Sequence, residues 1–169
     1  EMCIRDRFRL ALRELVYPVC VVSSYNDETK ENNAITVSSV TSLSFEPPSI
    51  LVCINKNSTI HSSLKIDSNF NISFLSSSQT EISNLCGTDE LSDKRFDNDF
   101  WDFKNNIGFI KNSQSVISCT IKEITSYGSH SVFFGDVVEV IKNSNTKPLL
   151  YGKGEYCLLY TSPSPRDSV

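Results

Sequence analysis

The residues best placed to do chemistry lie between Asn33 and Leu64. They are Thr36, Ser38, Ser39, Ser42 and Ser44, followed by the run Asn55-Lys56-Asn57-Ser58-Thr59. That run is a polar loop with one cation and several small hydroxyl or amide groups. The chain has 2 histidines. His130 ends the turn Tyr127-Gly128-Ser129-His130 and opens a strand, a place where a lone histidine is usually structural. His61 follows the hydroxyl loop and reads as a solvated or capping residue. No G-x-G-x-x-G or Walker loop occurs. No Ser/His/Asp order stands out, and no His/Cys cluster has metal spacing.

These residues need elements to hold them. Ile35 to Phe45 is dense in Thr, Val and Ser and reads as one strand. Glu46-Pro47-Pro48 stops it. Ser49 to Ile54 is an apolar run that reads as a buried strand, and Ile60 to Lys65 as a short helix. Alternating Ser and Thr would also suit an ordinary strand with one face in water. Upstream, Phe8 to Leu15 has helical period, Val19 to Ser24 is a strand and Tyr25 to Asn33 a charged turn. Downstream, Phe70 to Leu75 is a strand, and Gln79 to Leu85 a helix with serines before it able to cap it. Gly87 to Trp101 is irregular, pinned by Phe96, Phe100 and Trp101. Val116 to Ile124 and Ser131 to Ile141 are strands. Gly135, inside the latter, predicts a bulge or a close backbone approach. Leu149 to Tyr156 closes the series. About six or seven strands with two or three short helices and no βαβ alternation predict a mostly β fold, a small antiparallel barrel.

The ends of the chain read differently. Glu1 to Arg7 back-translates to a core, AGATGTGTATAAGAGACA, whose reverse complement encodes Cys-Leu-Leu-Tyr-Thr-Ser, the residues at Cys157 to Ser162. This resembles transposase adaptor sequence read through as protein. The expectation is therefore a native domain over 8–156, with 1–7 and 157–169 adaptor-derived. The 169 residues suit one domain. A formal charge of −4 disfavours nucleic acid and anionic membrane as partners. Of 6 cysteines, Cys20, Cys53, Cys86 and Cys119 lie outside those ends and read as reduced residues of a cytoplasmic protein.

The order Ala34, Thr36, Ser38-Ser39, Ser42, Ser44, Pro47-Pro48, the apolar strand and the Asn55 to Thr59 loop resembles the flavin reductase-like family. These are FMN-binding split barrels that serve as reductase components of two-component flavin-dependent monooxygenases. FRLALRELVYPV, Gln79, Lys94-Arg95-Phe96 and the turn before His130 match the same pattern. The resemblance implies a split β-barrel, commonly a homodimer, that transfers hydride from NADH or NADPH to FMN or FAD. Backbone amides and hydroxyls of Thr36, Val37, Ser38 and Ser39 would hold the polar edge of the flavin. Asn55, Lys56, Ser58 and Thr59 would take its phosphate, and His130 would face the nicotinamide. Ser42, Ser44, Cys53 and Arg95 join the cofactor-binding set on the same ground. The chain departs from the family at Ala34, at Ser73 (usually Asn) and at Ser129 (usually Asp), the last bearing on how the His130 ring is oriented. The alternative is a split barrel that holds flavin without turnover.

Overall fold

A computed structural model describes residues 2–159. Helix α1 (Ile4–Arg13) leads into β1 (Val16–Pro18), β2 (Cys20–Asn26), β3 (Glu31–Val37), β4 (Val40–Phe45) and β5 (Pro48–Asn55). A 3-10 turn, Thr59–Ser63, precedes β6 (Asn69–Phe74) and α2 (Thr80–Gly87). A second 3-10 turn, Asp89–Lys94, leads to the short hairpin β7 (Trp101–Lys104) and β8 (Ile107–Ile110). The long strands β9 (Ser115–Tyr127) and β10 (His130–Lys142) follow, then β11 (Leu150–Gly152) and β12 (Glu155–Cys157).

Seven strands form one antiparallel sheet in the order β3-β2-β6-β9-β10-β5-β4. Its two edge strands, β3 and β4, are consecutive in the chain. The sheet therefore rolls round on itself and stays open along one seam, a split barrel. This bears out the antiparallel barrel expected from sequence and corrects one detail. Ile35 to Phe45 is not a single strand. It breaks at Ser38-Ser39, and its halves stand at opposite edges of the sheet. Bonds from Ser39 to β5 secure the corner: its carbonyl accepts from the Cys53 N–H at 3.2 Å and its hydroxyl donates to the Cys53 carbonyl at 2.8 Å.

The interior is filled from both directions. Cys20, Val22, Val52, Ile54, Phe70, Ile72, Cys119, Ile121 and Phe133 pack inside the barrel. Val19, Val21, Ala34, Leu75, Ile82, Cys86, Trp101 and Ile110 form a second core outside it. Strand β2 lies between the two, which is why its sequence opens on an unbroken Cys-Val-Val rather than an alternation. Complete burial of a ring such as Phe70 or Phe133 is worth about 1.5–3 kcal/mol. Gly135 makes this packing possible. The β9–β10 register slips between Phe134 and Gly135, and a Cβ at Gly135 would lie 2.9 Å from both Cys119 Cβ and the Phe70 ring. The bulge and the close approach expected of this glycine are both present.

Other boundaries move by a few residues. The helix expected over Ile60 to Lys65 is the 3-10 turn. Gln79 occupies the position before α2, and no serine caps that helix. The Gln79 side chain instead accepts from the Ser76 N–H at 2.9 Å and donates to the Lys111 carbonyl at 2.6 Å, fastening α2 to the loop after β8. The hairpin β7–β8 was not expected. None of the α1 residues is buried.

Candidate functional site

Strand β3 is an edge strand, so half of its backbone groups have no partner in the sheet. Arg95 covers the first of them. Its guanidinium is buried and donates to the Ala34 carbonyl at 2.9 Å, the Leu85 carbonyl at 3.1 Å and the Thr88 carbonyl at 2.6 Å, and it meets Asp89 at 3.3 Å. Two residues further on, the period of the strand turns the amide and carbonyl of Thr36 to the same open edge. Helix α2 lies beside them, and the Thr36 hydroxyl donates to its Ser83 carbonyl at 2.7 Å. Helix α2 ends at Gly87, whose missing side chain leaves space: an added Cβ would come no nearer than 3.9 Å to Thr36.

Two cavities meet at Gly87. The larger, about 510 Å³, is bordered by Thr36, Val37 and Ser38 on one side and by Asn84, Thr88, Tyr151 and Tyr156 on the other. The Tyr156 hydroxyl donates to Asn84 Oδ1 at 2.8 Å and lies 2.8 Å from Ser83 Oγ, fixing β12 over α2. The smaller, about 200 Å³, is lined by Asn55, Asn57, Ser58 and Thr59, with Arg95 in its wall. The Asn55 loop has its shape set from within: the Asn55 carboxamide oxygen accepts from the Asn57 N–H at 2.9 Å, and the Ser58 hydroxyl donates to the Asn55 carbonyl at 2.7 Å. The Ser58 oxygen keeps its lone pairs, and the Thr59 hydroxyl opens on the cavity. Hydroxyl and amide groups on the floor and the Arg95 guanidinium in the wall, partly balanced by the Asp89 carboxylate of the same lining, suit the small cavity to an anion. The large cavity, with two tyrosine rings and a free strand edge, suits a flat heterocycle with a polar rim.

The structure thus gathers Thr36, Val37, Ser38, Asn55, Ser58, Thr59 and Arg95 around two cavities that share Gly87. Lys56 lines neither cavity and instead reaches the β9–β10 hairpin: its N–H donates to the Ser129 carbonyl at 3.0 Å and its Nζ to the Gly128 carbonyl at 2.8 Å. His130 lies on that hairpin, exposed, opposite Asn55 in the register of β10 and β5. Its Nδ1 is 2.9 Å from the Ser129 hydroxyl, so a serine orients the ring where the family carries Asp.

Four residues stand apart from both cavities. Ser39 is spent on the corner with Cys53, and Cys53 lies on the half-buried outer side of β5. Ser42 and Ser44 sit on the exposed edge strand β4, where Ser44 accepts from the Glu46 N–H at 3.1 Å. Ser73 is fully buried and accepts from the Ile110 N–H at 3.0 Å, so it secures β8. His61 is partly buried rather than freely solvated: its Nε2 is 2.9 Å from the Ser131 hydroxyl and its ring meets Phe133 edge-on at 5.5 Å. Sequence reasoning missed Asn84, Gly87, Thr88, Tyr151 and Tyr156. The two tyrosines, two residues before and three after the Lys153 midpoint of the Gly152-Lys153-Gly154 turn, carried the only signal, an aromatic pair near the end of the barrel. Among the described residues no group of three or more His, Cys, Asp or Glu is placed to hold a metal.

The comparisons agree with this geometry. Residues 12–160 match the flavin reductase like domain. The chain is 30% identical over 155 residues to the reductase component of an FADH(2)-dependent resorcinol hydroxylase of Rhizobium sp. (strain MTP-10005), covering 91% of this chain and 87% of the relative. It is 26% identical over 153 residues to the FMN reductase (NADH) RutF of Pantoea ananatis (strain LMG 20103), covering 90% and 80%. Among solved structures, the NADH:FAD oxidoreductase SgcE6 of Streptomyces globisporus C-1027 superposes with a TM-score of 0.85 at 22% identity, covering 96% of this chain and 98% of that one. With the open barrel and the paired cavities, the match over most of its length makes this chain a member of the flavin reductase-like family.

Proposed function

We propose that the protein is an NAD(P)H-dependent flavin reductase that supplies reduced flavin to a partner monooxygenase. The observation that carries this reading is the pair of cavities joined at Gly87, one shaped for a flat ring and the other for an anion. Flavin, when bound, supplies the hydride-accepting ring. The chain does the rest. The open edge at Thr36 and the backbone of Val37 and Ser38 orient the polar rim of the ring, and the two tyrosines shield it from water. Ser58, Thr59 and Asn55 hold the phosphate, helped by the charges of Arg95 and Lys56. His130, beside Ser129 on the neighbouring hairpin and opposite Asn55 of the anion cavity, would face the nicotinamide.

Names of relatives support the same chemistry. They include NADH:riboflavin 5'-phosphate oxidoreductase of Streptomyces pristinaespiralis and the reductase component of the resorcinol hydroxylase. A homodimer belongs to this reading. Helix α1 leaves Phe8, Leu10 and Leu12 exposed and β4 leaves Leu43 and Phe45 exposed, surface that a second copy would cover. A cytoplasmic place also belongs to it, supported by four unpaired cysteines in the body of the domain. No helix among the described residues is long and apolar enough to cross a membrane.

The test is to block the neck. Gly87→Ala meets only ordinary contacts and should keep flavin affinity, whereas Gly87→Leu should fill the neck and abolish binding while leaving the far-ultraviolet circular dichroism unchanged. Undiminished flavin binding by a folded Gly87→Leu protein would place the ligand elsewhere.

A further inference from the structure

A third cavity, about 450 Å³, lies on the far side of Arg95 and shares Ala34, Thr59 and Arg95 with the anion cavity. The two are neighbours that share these three residues as walls. From one to the other the chemistry changes. Hydroxyl and amide groups give way to the rings of Phe96 and Phe103, the carboxylates of Glu31 and Asp93, and Asn33.

Phe103 is half-exposed yet fixed in place. Its ring packs over Gly108, where an added Cβ would lie 3.2 Å from the ring edge. Asn32 ties this hairpin to β3, donating to the Asn106 carbonyl at 2.9 Å and accepting from the Gly108 N–H at 3.0 Å. An aromatic ring held open to a cavity is a stacking platform for a base. Two carboxylates repel phosphate but accept hydrogen bonds from a ribose diol. The anion cavity followed by this one therefore matches a diphosphate continued by a neutral nucleoside.

We propose that this cavity receives the adenosine half of FAD, with Phe103 stacking the adenine and Glu31 and Asp93 accepting from the ribose, so that the chain selects the dinucleotide flavin over FMN. The proposal rests on the flavin reading above and adds to it a subsite and a preference.

The experiment is a fluorescence titration of the full chain with FMN and with FAD, repeated on Phe103→Ala and Asp93→Asn. FAD should bind wild type about tenfold more tightly than FMN. Phe103→Ala should remove most of that preference by weakening FAD alone, and Asp93→Asn should reduce it in the same direction. FMN affinity should stay at the wild-type value in both variants. Equal affinity of wild type for FMN and FAD would overturn the adenosine assignment and leave the flavin reading intact. A Phe103→Ala protein with unchanged FAD affinity but a raised KM for NADH would overturn it in favour of the reductant's own adenosine. Equal weakening of both flavins would overturn it as a packing effect. Failure of wild type to bind either flavin would overturn both readings together.

Discussion

Lys56 and Ser129 are joined backbone to backbone, the Lys56 N–H donating to the Ser129 carbonyl at 3.0 Å. This bond ties the loop that lines the anion cavity to the hairpin that carries His130. The Lys56 ammonium repeats the connection at Gly128. Groups 70 or so residues apart in the chain, assigned here to the two reactants, are thus held in one rigid unit. That matters for hydride transfer, which is sensitive to the placement of donor and acceptor at the ångström scale.

The anion cavity predicts the cost of emptying its floor. Ser58→Ala combined with Thr59→Ala should weaken flavin phosphate binding by about 1–3 kcal/mol, the range for hydrogen bonds to a charged group. Titration with FMN and with riboflavin checks it: FMN affinity should fall and riboflavin affinity should not.

His130 predicts a split between binding and turnover. His130→Ala should leave flavin affinity unchanged and lower turnover with NADH several-fold, because the ring lines neither cavity and is assigned to the nicotinamide. Ser129→Ala should give a smaller loss in the same direction, since the serine only orients the ring. Steady-state kinetics beside a flavin titration separate the two effects.

Gly135 predicts a stability effect remote from the site. Gly135→Ala places a methyl 2.9 Å from Cys119 Cβ and the Phe70 ring. Overpacking of this kind costs about 1–3 kcal/mol, so the urea midpoint should fall. An unchanged midpoint would mean that the core gives way more easily than its packing implies.

The buried thiols predict a pH dependence. Burial pushes Cys20, Cys86 and Cys119 up to about 12, with Arg95 opposing the rise at Cys86 and Asp136 adding to it at Cys119. Unfolding returns them towards 9.0. The unfolded chain therefore loses these protons first as pH rises. The thiols favour folding fully below pH 9.0, and that contribution declines between 9.0 and about 12. Denaturation midpoints measured across that range should fall. In the native protein, a thiol reagent at neutral pH should reach Cys3, Cys53 and Cys157 and spare these three.

Much of this was legible in the sequence, and what was not has physical causes. The apolar run at Ile50 to Ile54 and the proline pair before it mark β5 by local chemistry alone. The break between β3 and β4 has no such mark, because Thr-Val-Ser-Ser-Val-Thr has the same β preference throughout and closure of the barrel sets the corner. The β7–β8 hairpin did carry a local signal. Asn105 and Asn106 have φ of 51° and 69°, the two left-handed residues of a tight hairpin turn that asparagine tolerates. Thr36, Ser58 and Thr59 stand at the cavities because the hydroxyl pattern coincides with an exposed edge and a loop. Ser42 and Ser44 share that pattern but fall on the other edge of the sheet. Gly87, Tyr151 and Tyr156 come to the site from distant segments, and only tertiary packing unites them with β3.

The central claim is hydride transfer from a nicotinamide to bound flavin, and anaerobic rapid mixing tests it most directly. Protein loaded with flavin is mixed with NADH, and in a parallel run with NADPH, and the oxidised flavin band is followed. Rapid bleaching with at least one of the two reductants, slowed in His130→Ala, is the result this account predicts. Flavin that stays bound and oxidised with both would contradict it and leave a flavin-holding barrel without turnover.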